Sequence, residues 1–172
     1  MRIHHWVLLV SVVASTGCQA PRSSSYIQQS LMPSQKIALE SSVRSFVATV
    51  AHDVTQEGPA AWSKFFLDSP SFFMASEGHL QFANGQEAAA TIQNLTRIIK
   101  HIDLRWGDDL RVDLLTPNLA AVGASYAEVR LDAEGHQVNE AGYFTGVTEL
   151  VNGRWRFRNA HWSVVVPSTK VP

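Results

Sequence analysis

The side chains able to move protons or hold ligands are few in this sequence and widely spaced. His52, His79, His101, His136 and His161 lie far apart, and no two fall at the i, i+2 or i, i+4 spacing that sets two imidazoles side by side around a metal. His101 and Asp103 stand two apart and read as a solvated pair. One cysteine, Cys18, excludes disulfides and a cysteine zinc site. A glycine-rich phosphate loop, a Gly-x-Ser-x-Gly elbow and a Cys–His pair are all missing, so the reading includes no metal and no cofactor. What remains is acid–base chemistry by His161 and by a carboxylate whose pKa an apolar pocket could raise, for which Asp103 and Glu128 are the candidates. Each has a plainer alternative. His161 can be a structural imidazole hydrogen-bonded inside the fold, and Glu128, flanked by Ala127 and Val129, can lie on a solvated face. Without a matched acid–base pair no catalytic residue is assigned, and binding without turnover is favoured over catalysis. Fourteen Lys+Arg against fifteen Asp+Glu leave no basic surplus for nucleic acid.

Hydrophobic periodicity supplies the elements that must position these groups. Leu39, Val43, Phe46, Val47, Val50 and Val54 recur at helical spacing behind Ser34, a candidate cap, and Gly58-Pro59 ends that helix. A second short helix carries Trp62, Phe65 and Phe66. Phe72–Ala75 and Leu80–Phe82 read as short strands around Glu77-Gly78. Asn84 and Glu87 form a capping-box signature for a third helix whose stripe is Ala88, Ile92, Leu95, Ile99 and Ile102. From there the period becomes two, with strands from Leu110 to Leu114, Leu119 to Asp132, Val138 to Val151 and Arg154 to Val166. Asp108 and Asp109 beside Gly107 mark a bulge or turn. Three helices followed by long strands predict an α+β domain, helices packed on one face of a curved antiparallel sheet.

Asn152-Gly153 is the strongest hairpin signal in the chain. A two-residue turn there pairs positions summing to 305, setting Glu149 opposite Arg156 and Phe144 opposite His161. The Glu–Arg pair suits solvent. The other face then holds Trp155, Phe157, Asn159, His161 and Ser163 with Phe144, Thr148 and Leu150, large apolar groups at the turn end and polar ones beyond. Aromatic residues Trp62, Phe73, Trp106 and Tyr126 are core material in the first instance, and some must line any cavity.

The first residues describe an address. Arg2, His4 and His5 precede an apolar run, Trp6–Ala14, too short to span a bilayer and typical of a secretory signal. Ser15-Thr16-Gly17-Cys18 then resembles the lipobox of bacterial lipoproteins, with Ser15 where Leu is usual. The resemblance implies cleavage before Cys18, lipidation of its thiol, and export to the cell envelope, facing the periplasm from the outer membrane in a Gram-negative cell. Ordinary cleavage after Ala20 and a buried structural cysteine are the alternatives. The chain thus divides into a signal peptide at 1–17, a Ser-rich tether at 18–34 with a reach of roughly 20 Å, and a domain at 35–167.

Gly142-Tyr143-Phe144-Thr145-Gly146-Val147, Asn152-Gly153-Arg154-Trp155-Arg156-Phe157 and His161-Trp162-Ser163 together resemble the closing hairpin of the nuclear transport factor 2-like superfamily, in its SnoaL-like branch. Asn84-Gly85-Gln86-Glu87-Ala88 resembles the opening of that branch's third helix. The resemblance, over roughly residues 35–166, implies a cone-shaped fold with an apolar cavity and polar groups at its mouth or floor. It implies a small apolar or amphipathic ligand, a homodimer as one possibility, and, as the alternative to a binding protein, a cofactor-independent isomerase, lyase or cyclase using His161 with a buried carboxylate. Many relatives carry a second His where this chain has Asn159. Within such a cone the ligand would meet His161, Asn159, Phe157 and Phe144. Tyr126, Trp106, Phe73 and Trp62 complete the expected lining.

Overall fold

The computed structural model describes residues 31–165. Cys18, the signal peptide and nearly all of the predicted tether lie outside them. Helix α1 (Pro33–Glu57) starts with proline in its first turn, where the missing N–H costs nothing. The Gln35 side chain accepts from the Met32 N–H at 3.0 Å, so the cap falls two residues before Ser34. Its buried stripe is Val43, Val47, Val50 and Val54. Gly58, at φ 74°, ends it, and the predicted second helix is a 3-10 segment (Gly58–Lys64). Among the described residues there are therefore two α-helices, not three.

Strands β1 (Phe73–Ser76) and β2 (His79–Phe82) form a hairpin. Helix α2 (Gly85–Ile98) is capped by Asn84, whose Oδ1 accepts from the Glu87 N–H at 2.8 Å. It stops four residues short of the predicted Ile102. Ile99 already has extended geometry and opens β3 (Ile99–Trp106), a strand the periodicity concealed because Ile99 and Ile102 fit a helical stripe as well as a sheet. Pairing of β3 with β5 (Leu119–Asp132) decides between them, with Ile102 and Leu104 both buried.

Strand β4 (Arg111–Thr116) pairs with the first half of β5 and β3 with the second half. The break between them is held at Ser125: the Gly107 N–H donates to its carbonyl at 2.8 Å, and Asp109 Oδ1 accepts from its N–H at 2.9 Å and its hydroxyl at 2.8 Å. These bonds hold the Asp109 carboxyl below its usual range. Strands β6 (Gln137–Val151) and β7 (Arg154–Val164) complete a seven-stranded sheet with main path β2-β1-β7-β6-β5-β3. The sheet is mixed rather than antiparallel, because β1 runs parallel to β7.

The β6–β7 hairpin begins as a two-residue turn demands. Asn152 and Gly153 have φ of 51° and 75°, and Glu149 faces Arg156. The register then slips. Thr148 pairs with Phe157 but Val147 with Asn159, leaving Arg158 as the extra residue of a β-bulge. One inserted residue exchanges the faces of everything after it. Phe144 therefore faces Trp162 and not His161. Trp155, Phe157, Ala160 and Trp162 are buried, while His161 and Ser163 are exposed. Asn159 serves the bulge, its Oδ1 accepting from the Val147 N–H at 3.1 Å.

Candidate functional site

A cavity of about 390 Å³ opens between the inner face of the sheet, α2, the 3-10 segment and the β1–β2 hairpin. Its walls are mostly apolar, with Trp62, Phe66, Phe82, Ile92, Leu95 and Trp162 contributing from five parts of the chain. Trp62 stacks on Phe66 with ring centroids 5.4 Å apart and meets the edge of Trp162 at 5.7 Å. One wall is polar, formed by Glu128 and Arg130 of β5 and Glu140 of β6, and Glu77 of the β1–β2 turn also lines the space.

Strand alternation puts the polar wall there. Ala120, Val122, Ala124 and Tyr126 are buried on the inner face of β5, and the same parity carries Glu128 and Arg130 inward. Glu128 stands directly opposite Glu140 across the β5–β6 ladder, an arrangement of like charges that repels. Arg130 bridges the two: its Nε lies 3.2 Å from Glu128 Oε1, and its Nη2 donates to Glu140 Oε2 at 2.6 Å. The Tyr126 hydroxyl donates to Glu140 Oε1 at 2.8 Å. Burial, together with Glu140, pushes the Tyr126 hydroxyl far above its ordinary range, so it stays a donor at any physiological pH.

Both oxygens of Glu140 are thus engaged. Glu128 has only the Arg130 contact, and its other oxygen accepts no hydrogen bond from any described residue. No buried polar side-chain atom among the described residues lacks a partner, so this oxygen keeps access to solvent, on a residue that lines the cavity. Burial raises the Glu128 pKa, Arg130 opposes that, and Glu140 adds to it. The folded state therefore binds this proton more tightly than the unfolded chain. Its contribution favours folding below the ordinary value of 4.5 and is lost as pH rises through the raised folded value. Glu128→Gln is expected to melt at or above the wild-type temperature at pH 7, with the advantage shrinking towards pH 4. A Gln variant whose relative stability falls between pH 4 and 7 would contradict the raised pKa.

The remaining predicted site residues fall elsewhere. Asp103 is a strand residue, not the end of a helix. Arg105 Nη2 contacts it at 2.7 Å, and this hydrogen bond holds its carboxyl below the usual range. His161 and Glu128 occupy opposite faces of the sheet and cannot share a substrate. Phe157, fully buried, and Phe144 form core beneath the cavity, and Phe73 is 47% exposed. Trp106 stacks on Trp162 at 5.7 Å and donates its indole N–H to the Val47 carbonyl at 2.8 Å. Of the eight residues expected to meet a ligand, Trp62 lines the cavity and Tyr126 reaches its polar wall through Glu140.

Arg130 and Glu140 escaped the sequence reading, although the signal was present. Extending the β5–β6 pairing back from its turn brings Glu128 opposite Glu140, and a glutamate pair on a half-buried ladder requires a cation nearby.

Two other features lack this convergence. Asp132, Glu134 and His136 bring ligand-type atoms within 4.8 Å of one another at the β5–β6 turn. There Asp132 Oδ1 accepts from the Glu134 and His136 N–H groups, which accounts for the cluster as turn structure. A broader depression of about 590 Å³ beside Leu110, Val112 and Tyr143 lies open to solvent.

No family model matches the sequence, and no curated protein matches it. Solved structures do. A protein assigned as a scytalone dehydratase from Novosphingobium aromaticivorans superposes with a TM-score of 0.68 at 9% identity, covering 78% of this chain and 89% of that one. A nuclear transport factor 2-like superfamily protein from Salmonella enterica gives 0.66 at 11% identity, covering 79% and 97%. A type 2 hexachlorocyclohexane dehydrochlorinase gives 0.63 at 12% identity, covering 78% and 90%. At such identities the likeness is one of fold, and these folds carry enzymes as well as proteins named only by superfamily.

Proposed function

We propose that this chain, whose fold is that of the nuclear transport factor 2-like superfamily, binds a small amphipathic molecule in the cavity between α2 and the sheet. The observation that carries the reading is the convergence of aromatic and aliphatic walls on one ion-paired polar wall, Glu128–Arg130–Glu140. Small-molecule sites combine a mainly apolar lining with a few placed polar groups, in volumes of about 300–1,000 Å³. A volume near 390 Å³ suits a compact molecule better than a polymer. The apolar part of the ligand packs against Trp62, Phe66 and Leu95, and its polar end meets the charged wall.

Binding without turnover remains the preferred reading. An isomerase, lyase or cyclase using His161 with a buried carboxylate loses its support, because the imidazole faces away from the cavity. Acid–base chemistry would have to rest on Glu128 alone. Native mass spectrometry of the full chain purified from its own cell envelope is expected to show a co-purifying small molecule. Repeated preparations with no bound mass, and no apolar additive that raises the melting temperature, would count against the cavity as a binding site.

The same reading places the domain at the cell envelope, tethered through a lipid on Cys18. Radiolabelled palmitate is expected to enter the wild-type chain and not Cys18→Ala. Equal labelling of both would remove the anchor.

A further inference from the structure

We infer that the cavity selects a cationic ligand, a small protonated amine with an apolar body. This rests on the cavity's being a binding site, as proposed above, and concerns the chemistry of its occupant. Three carboxylates line the space, Glu77, Glu128 and Glu140, against one guanidinium, Arg130. That guanidinium is already claimed by both Glu128 and Glu140. An incoming anion would have to compete with two carboxylates for it, in a part-buried setting where like charges are weakly screened. Glu140 is equally committed, holding Arg130 on one oxygen and Tyr126 on the other.

Glu77 is exposed on the β1–β2 turn, so Glu128 is the one largely buried carboxylate of the three with acceptor capacity to spare. Its side chain is 11% exposed and belongs to the cavity lining, with one oxygen left without a partner among the described residues. An ammonium group there would gain a charge-assisted hydrogen bond and would restore the charge balance that Arg130 leaves incomplete. The neighbouring walls suit a cation as well. Trp62 and Trp162 meet edge to face and Phe66 stacks beside them, and aromatic faces attract ammonium groups when water is excluded. A carboxylate held in an apolar wall at a cost to folding is more readily explained by a bound partner than by stability.

The test uses three probes that share a phenylethyl body and differ in charge, 2-phenylethylamine, 2-phenylethanol and 3-phenylpropanoate. They are titrated into the full chain by calorimetry and Trp fluorescence at pH 7. The amine is expected to bind at least about tenfold more tightly than either of the others, and Glu128→Gln to bring its affinity down to that of the alcohol. Similar affinities for all three, or tightest binding of the carboxylate, would overturn the amine inference and leave the apolar cavity standing. A Gln variant that keeps the amine preference would also overturn it. Failure of all three to bind would remove both the inference and the reading beneath it. Because the ranking of the probes is read on the wild-type chain, a Gln variant that fails to fold does not spare the inference.

Discussion

Insertion of one alanine between Ala160 and His161 is expected to abolish the folded domain, while deletion of Arg158 leaves the faces of β7 as they are. Arg158 is the extra residue of the bulge, so removing it closes the ladder with Phe157 opposite Thr148, Asn159 opposite Val147 and Trp162 still opposite Phe144. Its side chain makes one partly exposed ion pair, its Nη1 standing 2.7 Å from Glu149 Oε2, worth no more than about 1 kcal/mol. The insertion instead moves every later residue on by one position, turning Trp162 to solvent and His161 and Ser163 inward. Trp162 would lose Trp106, Tyr126 and Phe144, whose ring centroids lie 4.6 to 5.7 Å from its own. Losing such an aromatic from the core costs about 3–5 kcal/mol. Each polar group forced inward without a partner adds about 1–3 kcal/mol. Together these approach the whole stability of a typical domain, about 5–15 kcal/mol. The parallel pairing of β1 to Asn159–Trp162 would be broken as well. Urea denaturation followed by circular dichroism should show a cooperative transition for the Arg158 deletion and none for the insertion. An insertion variant that unfolds at the wild-type midpoint would mean that another contact sets the register.

Trp162→Ala is expected to destabilise the domain by about 4 kcal/mol and to empty the cavity of ligand. Trp162 is 8% exposed and stands where core and cavity meet. One side packs on Trp106 and Phe144, and the other faces the space shared with Trp62. Its truncation removes core contacts and a wall of the site together. His161→Ala, one residue earlier on the exposed face, is expected to change stability by no more than about 0.5 kcal/mol and to leave any co-purifying molecule in place. The contrast between neighbouring positions is the informative result. Equal losses at 161 and 162, or loss of ligand in the His161 variant alone, would return the imidazole to the site.

Much of the fold was legible because it depends on local chemistry. The valine stripe of α1, the Asn84–Glu87 cap, the Gly107–Asp109 break and the Asn152-Gly153 turn each act over a few residues, and each stands where the residue pattern put it. The order of elements followed, and with it the likeness to a known fold. The site was legible only in part. Glu128 and Trp62 were among the candidates, but the residue that matched the family pattern most closely, His161, lies on the wrong face.

Local pattern thus determined most of the elements, the tight turns and the scarcity of chemically active side chains, but not strand β3 or the 3-10 character of the second helix. Tertiary structure decided three further matters. It decided where α2 gives way to β3, because Ile99 and Ile102 satisfy both periods until β5 supplies a pairing partner. It decided which face His161 occupies, because the bulge at Arg158 shifts every position beyond it, and its one trace in the sequence is the change of phase from Trp155 and Phe157 to Ala160 and Trp162. It also decided that Glu128, Arg130 and Glu140 form one wall. Their meeting depends on two strands in a particular register, and the energy of a charged group buried against an apolar cavity depends on what surrounds it in space rather than on its neighbours along the chain.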